Sequence, residues 1–299
     1  MAFSGSCGNS SAVLSPSRPT PSSILFHHHF SAIVYLIRHA ESTMNSRPDL
    51  IGGRSPTATL TSNGLRQAIT LGASLRSSGV QFDAIYTSPL ERAKQTALLV
   101  CKEMEISEHL ITCSEALQEQ SQGLWEGRSR AEIYSPEMIR KINSLQPDFA
   151  APEGESQRQV ECRMLEFLAT VVSLNPVSAP RQFACDAKHA SNTDRQACGT
   201  FEAESTGADE VFPDLSQTLT ENRLLKPNLA IRNQHQFCAG IFLHGMAIKC
   251  LLRGILGSNP ILTHTTKIDN TSVTILTYST QTRWQVEKIN DTSHLAVLG

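Results

Sequence analysis

The 299-residue chain has almost no net charge, no closely paired cysteines and no apolar stretch long enough to span a bilayer. A formal charge of −2 gives no general attraction for nucleic acid, so any affinity for anions must be local. The eight cysteines include no C-x-x-C pair, which argues against a zinc or thioredoxin-type motif. Small apolar fillers in a reducing compartment account for them. The longest apolar runs fall far short of a membrane span, so a soluble, cytoplasmic protein with no membrane partner is expected. No secretory h-region follows the start, so the sequon Asn270-Thr271-Ser272 is expected to carry no meaning. Carboxylates do not cluster as Mg²⁺ would require, and neither a metal nor a cofactor is expected.

Acidic residues are missing from the N-terminus; the first is Glu41. Residues 1–30 are rich in Ser and Pro, an acid-poor composition typical of organelle transit peptides. A plastid or mitochondrial leader therefore stands as the alternative to a disordered tail. His27 to His29 offer adventitious metal binding at most. Periodicity is also missing from about 175 to 234, where Pro, Ser, Thr and Asn recur throughout. A long patternless connection inside a compact domain reads as an insertion, so residues 31–299 are expected to form one domain around it.

At 40% hydrophobic, enough apolar material remains for a proper core. Its organising stretch is Ile33 to Met44, IVYLIRHAESTM. Five apolar residues, Ile33 to Ile37, form the continuous run of a strand buried on both faces. The run stops at Arg38 and His39, at the carboxyl end where open α/β sheets place their ligands. A helix follows over Ser62–Ser77, with Gly79 as its stop signal. The strand Phe82–Thr87 leads into Ser88-Pro89-Leu90-Glu91, a pattern that predicts a capping box and a helix carrying Arg92 in its first turn. If these two strands are parallel neighbours, Arg92 and His39 share one sheet edge. Strand Leu110–Cys113 precedes a loop with Glu119, Gly123, Trp125, Glu126 and Gly127. A helix over Ser156–Leu174, a strand Phe237–Leu243 ending at His244-Gly245, a helix Met246–Leu256 and two last strands complete the series. Such alternation predicts a three-layer α/β/α sandwich with a mostly parallel central sheet.

The chemistry these residue types suit is phosphoryl transfer. Arg38 and Arg92 offer planar forks of N–H donors, and helix N-termini add further donors. An imidazole attacks phosphorus only when unprotonated, a form that neighbouring cations favour. Glu119 is the natural acid for the leaving oxygen. Each feature alone has a plain explanation, since a His after a strand often only caps a helix and a loop carboxylate is usually solvated. Their occurrence together, in this order, is what points to a site.

The set resembles the histidine phosphatases, the phosphoglycerate mutase-like family. Arg38-His39-Ala40-Glu41-Ser42 with Asn45 is similar to the family's Arg-His-Gly-Glu-x-x-x-Asn, with Ala40 in place of Gly. Leu60-Thr61, Gly64 and Gln67-Ala68 resemble its Leu-Thr-x-x-Gly-x-x-Gln-Ala. Ser88-Pro89 through Arg92-Ala93 and Gln95-Thr96-Ala97 match its second arginine motif. Leu117-Gln118-Glu119 with Gly123, Trp125-Glu126-Gly127, then Gly154-Glu155-Ser156 and Leu243-His244-Gly245, complete it. Arg54 to Ala58 depart from the usual Asp-x-Pro, and the segment before His244 is longer than the family norm.

The resemblance implies His39 as phospho-accepting nucleophile and Glu119 as proton donor. Arg38, Arg92 and His244 would form the phosphate pocket, with Asn45 an auxiliary contact and Gly245 among the substrate-binding positions. The expected activity is metal-independent hydrolysis of a small phosphorylated metabolite. Two alternatives stand beside it: mutase-type phosphoryl transfer, and a silent phospho-ligand binder. In the mutases the acid is followed by Arg, whereas Gln120 follows Glu119 here. Nothing in the sequence sets the oligomeric state.

Overall fold

The computed structural model describes residues 30–174 and 236–298. The expected tail and the expected insertion lie outside the described residues. Six strands form one sheet in the order β3-β2-β4-β1-β5-β6. They are β1 (Ser31–Arg38), β2 (Ala84–Thr87), β3 (Ile111–Cys113), β4 (Gln236–Leu243), β5 (Val273–Ser279) and β6 (Arg283–Asp291). Pairs β3–β2, β2–β4 and β4–β1 are parallel, whereas β1–β5 and β5–β6 are antiparallel. The sheet is thus mixed and mostly parallel. The condition set for Arg92 and His39 is met in another way: β1 and β2 are parallel but not neighbours, because β4 lies between them.

Helices α1 (Ser62–Ser77) and α2 (Glu91–Glu103) cover one face of the sheet. Leu71, Leu75, Ala97 and Val100 pack there on Ile37, Ile85 and Phe242. The other face takes α5 (Gln157–Leu174) and α6 (Gly245–Leu256), whose Val160, Met164, Leu168, Ile248 and Leu251 pack on Val34, Leu36 and Ile241. Val34 and Leu36 therefore face one layer while Ile37 faces the other. This is why β1 reads as an unbroken apolar run instead of an alternation. Between β3 and α5 the chain adds two short helices, α3 (Arg130–Ile133) and α4 (Pro136–Leu145). The last short helix is α7 (Leu262–Thr265).

Two Ser-Pro corners fare differently. No side chain caps α2, which begins at Glu91 with Leu90 at the N-cap, so the expected capping box at Ser88 does not form. The Ser88 hydroxyl bonds to His244 Nε2 at 2.8 Å instead. Ser135-Pro136 is the working cap: Ser135 Oγ accepts the Met138 N–H at 3.2 Å and Pro136 opens α4. A capping box does form at α5, where Ser156 and Gln159 exchange side-chain-to-backbone bonds at 2.7 and 3.2 Å.

Candidate active site

The carboxyl ends of β1, β2 and β4 lie side by side, so Arg38-His39, Ser88 and His244 meet at one rim of the sheet. Backbone contacts hold the first pair in place. His39 N–H donates to Leu243 O at 2.9 Å, and Ala40 N–H to Thr96 Oγ1 at 3.0 Å. Glu41 N–H donates to Gln67 Oε1 at 2.9 Å. Gly64 is needed for this packing, because a Cβ there would come within 2.0 Å of Glu41 O. Ala40 is not among the residues with positive φ, so its methyl group meets no left-handed backbone.

A second clamp was invisible in the sequence. Thr271 N–H donates to Arg38 O at 3.1 Å, and Asn270 Nδ2 donates to His39 O at 3.0 Å. The sequon set aside as meaningless is therefore a turn that grips the Arg-His backbone. Its local cue is Thr271, which sits at φ 54°.

His39 is buried, and its tautomer follows from its partners. Nδ1 lies 2.7 Å from Ala40 O, a carbonyl that can only accept, so Nδ1 carries the proton. Nε2 is left with a lone pair, 3.3 Å from the Arg92 Nε–H that donates to it. Burial first, then the charges of Arg92 and Arg38, hold the imidazole well below its usual value, in the neutral form.

Arg92 is fastened on its far side. Nη1 donates to Arg54 O at 2.8 Å and Ser55 O at 3.2 Å, and Nη2 donates to Gly53 O at 3.1 Å. Nε–H and the second Nη2 hydrogen remain as a side-on pair facing His39. Arg38 is arranged alike: Nη1 donates to Ile268 O at 2.6 Å, while buried Nε has no hydrogen-bond partner. Gly245 lies beside it: a Cβ there would stand 3.4 Å from that Nε, an ordinary contact.

His244 is fully buried, its ring centroid 5.1 Å from that of His39. Leu90 N–H donates to Ser88 Oγ at 3.3 Å, so the hydroxyl's own hydrogen is free to go to His244 Nε2. The proton of neutral His244 then sits on Nδ1, a buried atom with no partner. Burial, then Arg92, His39 and Arg38, push this imidazole also well below its usual value. Two buried donors without acceptors, Arg38 Nε and His244 Nδ1, are what an anion-binding pocket requires before its anion arrives.

Glu119 sits across from them, against the start of α6. Its carboxylate accepts from Gln120 N at 2.8 Å and from Met246 N and Ala247 N at 3.2 Å each. Two of the first N–H groups of α6, those of Met246 and Ala247, are thus taken by Glu119. Glu126 has different work. It accepts from Arg54 N and Gln122 N at 2.9 Å and from Ser55 N at 3.2 Å, and so holds the loop that anchors Arg92. Asn45 Oδ1 accepts from Ser42 N and Oγ at 2.9 Å and from Asn270 at 3.3 Å, which leaves only its amide hydrogens to give.

A cavity of about 250 Å³ is lined by Arg38, His39, Asn45, Arg47, Arg92, Glu119 and Arg130; His244 lies behind these residues and is not part of its lining. Among the described residues no cluster of three or more His, Cys, Asp or Glu could hold a metal. No helix of the described residues is long and apolar enough to cross a membrane.

Two arginines and two neutral histidines thus stand at one rim of an α/β/α sandwich. The sequence model of the Histidine phosphatase superfamily (branch 1) matches residues 34–179 and 220–292, and the chain belongs to that family. A 2,3-bisphosphoglycerate-dependent phosphoglycerate mutase of Bartonella quintana (strain Toulouse) is 32% identical over 131 residues, 43% of this chain and 63% of that protein. Fructose-2,6-bisphosphatase TIGAR of Xenopus tropicalis is 33% identical over 133 residues, 44% of this chain and 46% of that protein. The chain therefore spans less than two thirds of the length of these relatives. Among solved structures, mycobacterial glucosyl-3-phosphoglycerate phosphatase aligns with a TM-score of 0.60 at 20% identity, covering 88% of this chain and all of that one. Phosphoglycerate mutase from Bacillus anthracis str. Sterne aligns with a TM-score of 0.59 at 19% identity, covering 90% and 96%. At such identities the likeness is one of fold.

Proposed function

We propose that the protein is a phosphomonoester hydrolase working through a phosphohistidine on His39. The observation that carries this reading is the His39 ring itself, with Nδ1 tied to Ala40 O and the unprotonated Nε2 facing the Arg92 guanidinium, whose Nε–H donates to it. In the first step Nε2 attacks phosphorus as the bond to the leaving oxygen breaks. The Nε/Nη2 edge of Arg92, Arg38 Nε–H and His244 Nδ1–H take the equatorial oxygens. Preorganised donors of this kind are worth about 3–4 kcal/mol each in such reactions. Glu119, in its protonated form, gives its proton to the departing alcohol. In the second step Glu119, now a carboxylate, takes a proton from water as the water oxygen attacks the phosphohistidine. Nε2 leaves with its lone pair, and inorganic phosphate is released. No metal enters either step.

Hydrolysis is preferred over mutase transfer because Gln120, not Arg, follows Glu119. Its Nε2 donates to Glu155 O at 2.8 Å, so the side chain is committed to the scaffold. The test is a panel of phosphoglycerates, sugar phosphates and phosphoserine, run with a chelator. Release of inorganic phosphate is the expected result. Transfer to a second phosphoglycerate without release would favour the mutase, and no turnover of any ester would favour a silent binder.

A further inference from the structure

The backbone carbonyl of Glu119 is gripped from two sides. Arg54 Nε donates to it at 3.4 Å and Arg163 Nη2 at 3.3 Å. Two guanidiniums converging on one oxygen repel each other, and Glu155 offsets that repulsion from between them. Its Oε2 lies 3.2 Å from Arg54 Nη2 and 3.1 Å from Arg163 Nη2, and its Oε1 accepts from Arg163 Nε at 3.0 Å. Glu155 and Arg163 are mostly shielded from water, whereas Arg54, 36% exposed, is the solvent-facing member of this triad. Arg54 also opens the segment that departs from the family's usual Asp-x-Pro, so this arm of the triad is not one the family pattern supplies.

We propose that the Arg54 side chain is a positioning group for the proton donor Glu119, and that Arg54 couples the acid to the mount of Arg92. The proposal rests on the hydrolytic reading of the site and adds a residue to it. The route runs through one peptide plane. A peptide unit is rigid, so its C=O and N–H turn together. The oxygen held by Arg54 and Arg163 belongs to the same unit as the Gln120 N–H, which donates to Glu119 Oε1 at 2.8 Å. Fixing the oxygen therefore fixes the donor that aims the carboxylate.

The triad holds the next peptide as well, since Ser121 N–H donates to Glu155 Oε2 at 3.1 Å. At its other end Arg54 gives its own carbonyl to Arg92 Nη1 at 2.8 Å. One residue thus ties the group that protonates the leaving oxygen to the group that takes the phosphoryl oxygens. Their separation matters, because a misplacement of ~1 Å can cost ~10²-fold in rate. Arg54 is not among the residues lining the phosphate cavity, so its side chain acts through Glu119 and not on the substrate.

The test removes the side chain and keeps the carbonyl. Arg54→Met should slow kcat for ethyl phosphate ~10-fold or more, a part of the ~10²–10⁴-fold that acid catalysis supplies. It should largely spare p-nitrophenyl phosphate, whose phenolate leaves without a proton. A merely structural role would slow both esters alike, because both need His39 and Arg92. In a Glu119→Gln background the same substitution should add nothing to the loss for ethyl phosphate, since no acid is left to place. Equal losses for the two esters, full activity toward both, or additive losses in the double variant would overturn the proposal. Amide hydrogen exchange at Gln120 separates it from the hydrolytic reading. Arg54→Met should speed that exchange ~10-fold or more and leave the His39 amide, bonded to Leu243 O, at its wild-type rate. If wild type hydrolyses neither ester, the hydrolytic reading fails, while faster exchange at Gln120 still upholds the placement of Glu119 by Arg54. Unchanged exchange there would sink that placement whatever the kinetics.

Discussion

The rim of the sheet and the α3–α4 region beside it are built on different physical terms. Each rim side chain is placed by a strand end and then locked from several directions: Arg92 by three carbonyls, His39 by Ala40 O, His244 by Ser88. Helix α4, in contrast, has no buried residue, and its Ile139 and Leu145 stand 44% and 48% exposed. The lesson is a division of labour. Side chains at the rim are fixed by the scaffold, while α4 rests on it through the partly buried Met138 and Ile142 alone and leaves the rest of its surface to solvent.

The largest effect should come from the rim. Arg92→Lys keeps the charge but loses the side-on Nε/Nη2 edge, so kcat/KM should fall by ~10³-fold or more while the fold persists. Near-normal kinetics would mean that the edge is not used and that the rim is not the catalytic half. Next, Glu119→Gln should slow hydrolysis of an alkyl phosphate by ~10²–10⁴-fold yet largely spare a nitrophenyl ester, whose phenolate leaves unaided. Glu126→Gln should show no such dependence on the leaving group. A reversed pattern would exchange the roles assigned to the two carboxylates.

The rim also makes stability depend on pH, and the α3–α4 region, which has no histidine, should not. His39 and His244 are held well below their usual value chiefly by burial, and His294, against Thr271 Oγ1, is lowered to about 4 by burial. Below about pH 6.5 the unfolded rings take up protons that the folded rings refuse. Stability is therefore fully present above that pH and falls as pH drops, by up to ~1.4 kcal/mol per pH unit for each ring. Urea midpoints at pH 7 and pH 5 check this, and an unchanged midpoint would contradict the neutral, buried assignment.

The smallest and sharpest comparison uses the two Ser-Pro corners. Ser135→Ala removes the α4 cap and should cost ~1 kcal/mol of stability with kinetics toward small esters unchanged. Ser88→Ala caps nothing but frees His244 Nε2, and should lower kcat about tenfold, the equivalent of one hydrogen bond. If Ser135→Ala were the kinetic variant, the corners would be wrongly assigned.

These corners also show where sequence reasoning stops. Strands such as β1 and β4 were legible because burial on both faces forces a continuous apolar run, and a run that ends in Arg-His or His-Gly fixes what the strand delivers. The rim arginines and histidines followed from that logic and from the resemblance. Sheet order did not, because β1 and β2 are separated by a strand that arrives some 150 residues later in the chain. The Ser88 error has the same origin: the local pattern for a cap was satisfied, but a histidine from β4's end claimed the hydroxyl. Asn270 and Thr271 were missed because their task is to hold a backbone brought there by the sheet. Helix α4 escaped notice although Ser135-Pro136 carried the Ser-Pro half of the signal read at Ser88.

The central claim is that His39 Nε2 becomes the phosphorus ligand. Rapid acid-free quenching with a good substrate, followed by peptide mapping, measures it directly. The account predicts an acid-labile phosphoryl group on His39 that is absent in His39→Ala, a variant that should also be inactive. An active His39→Ala, or a phosphoryl group stably carried on any other residue, would contradict it.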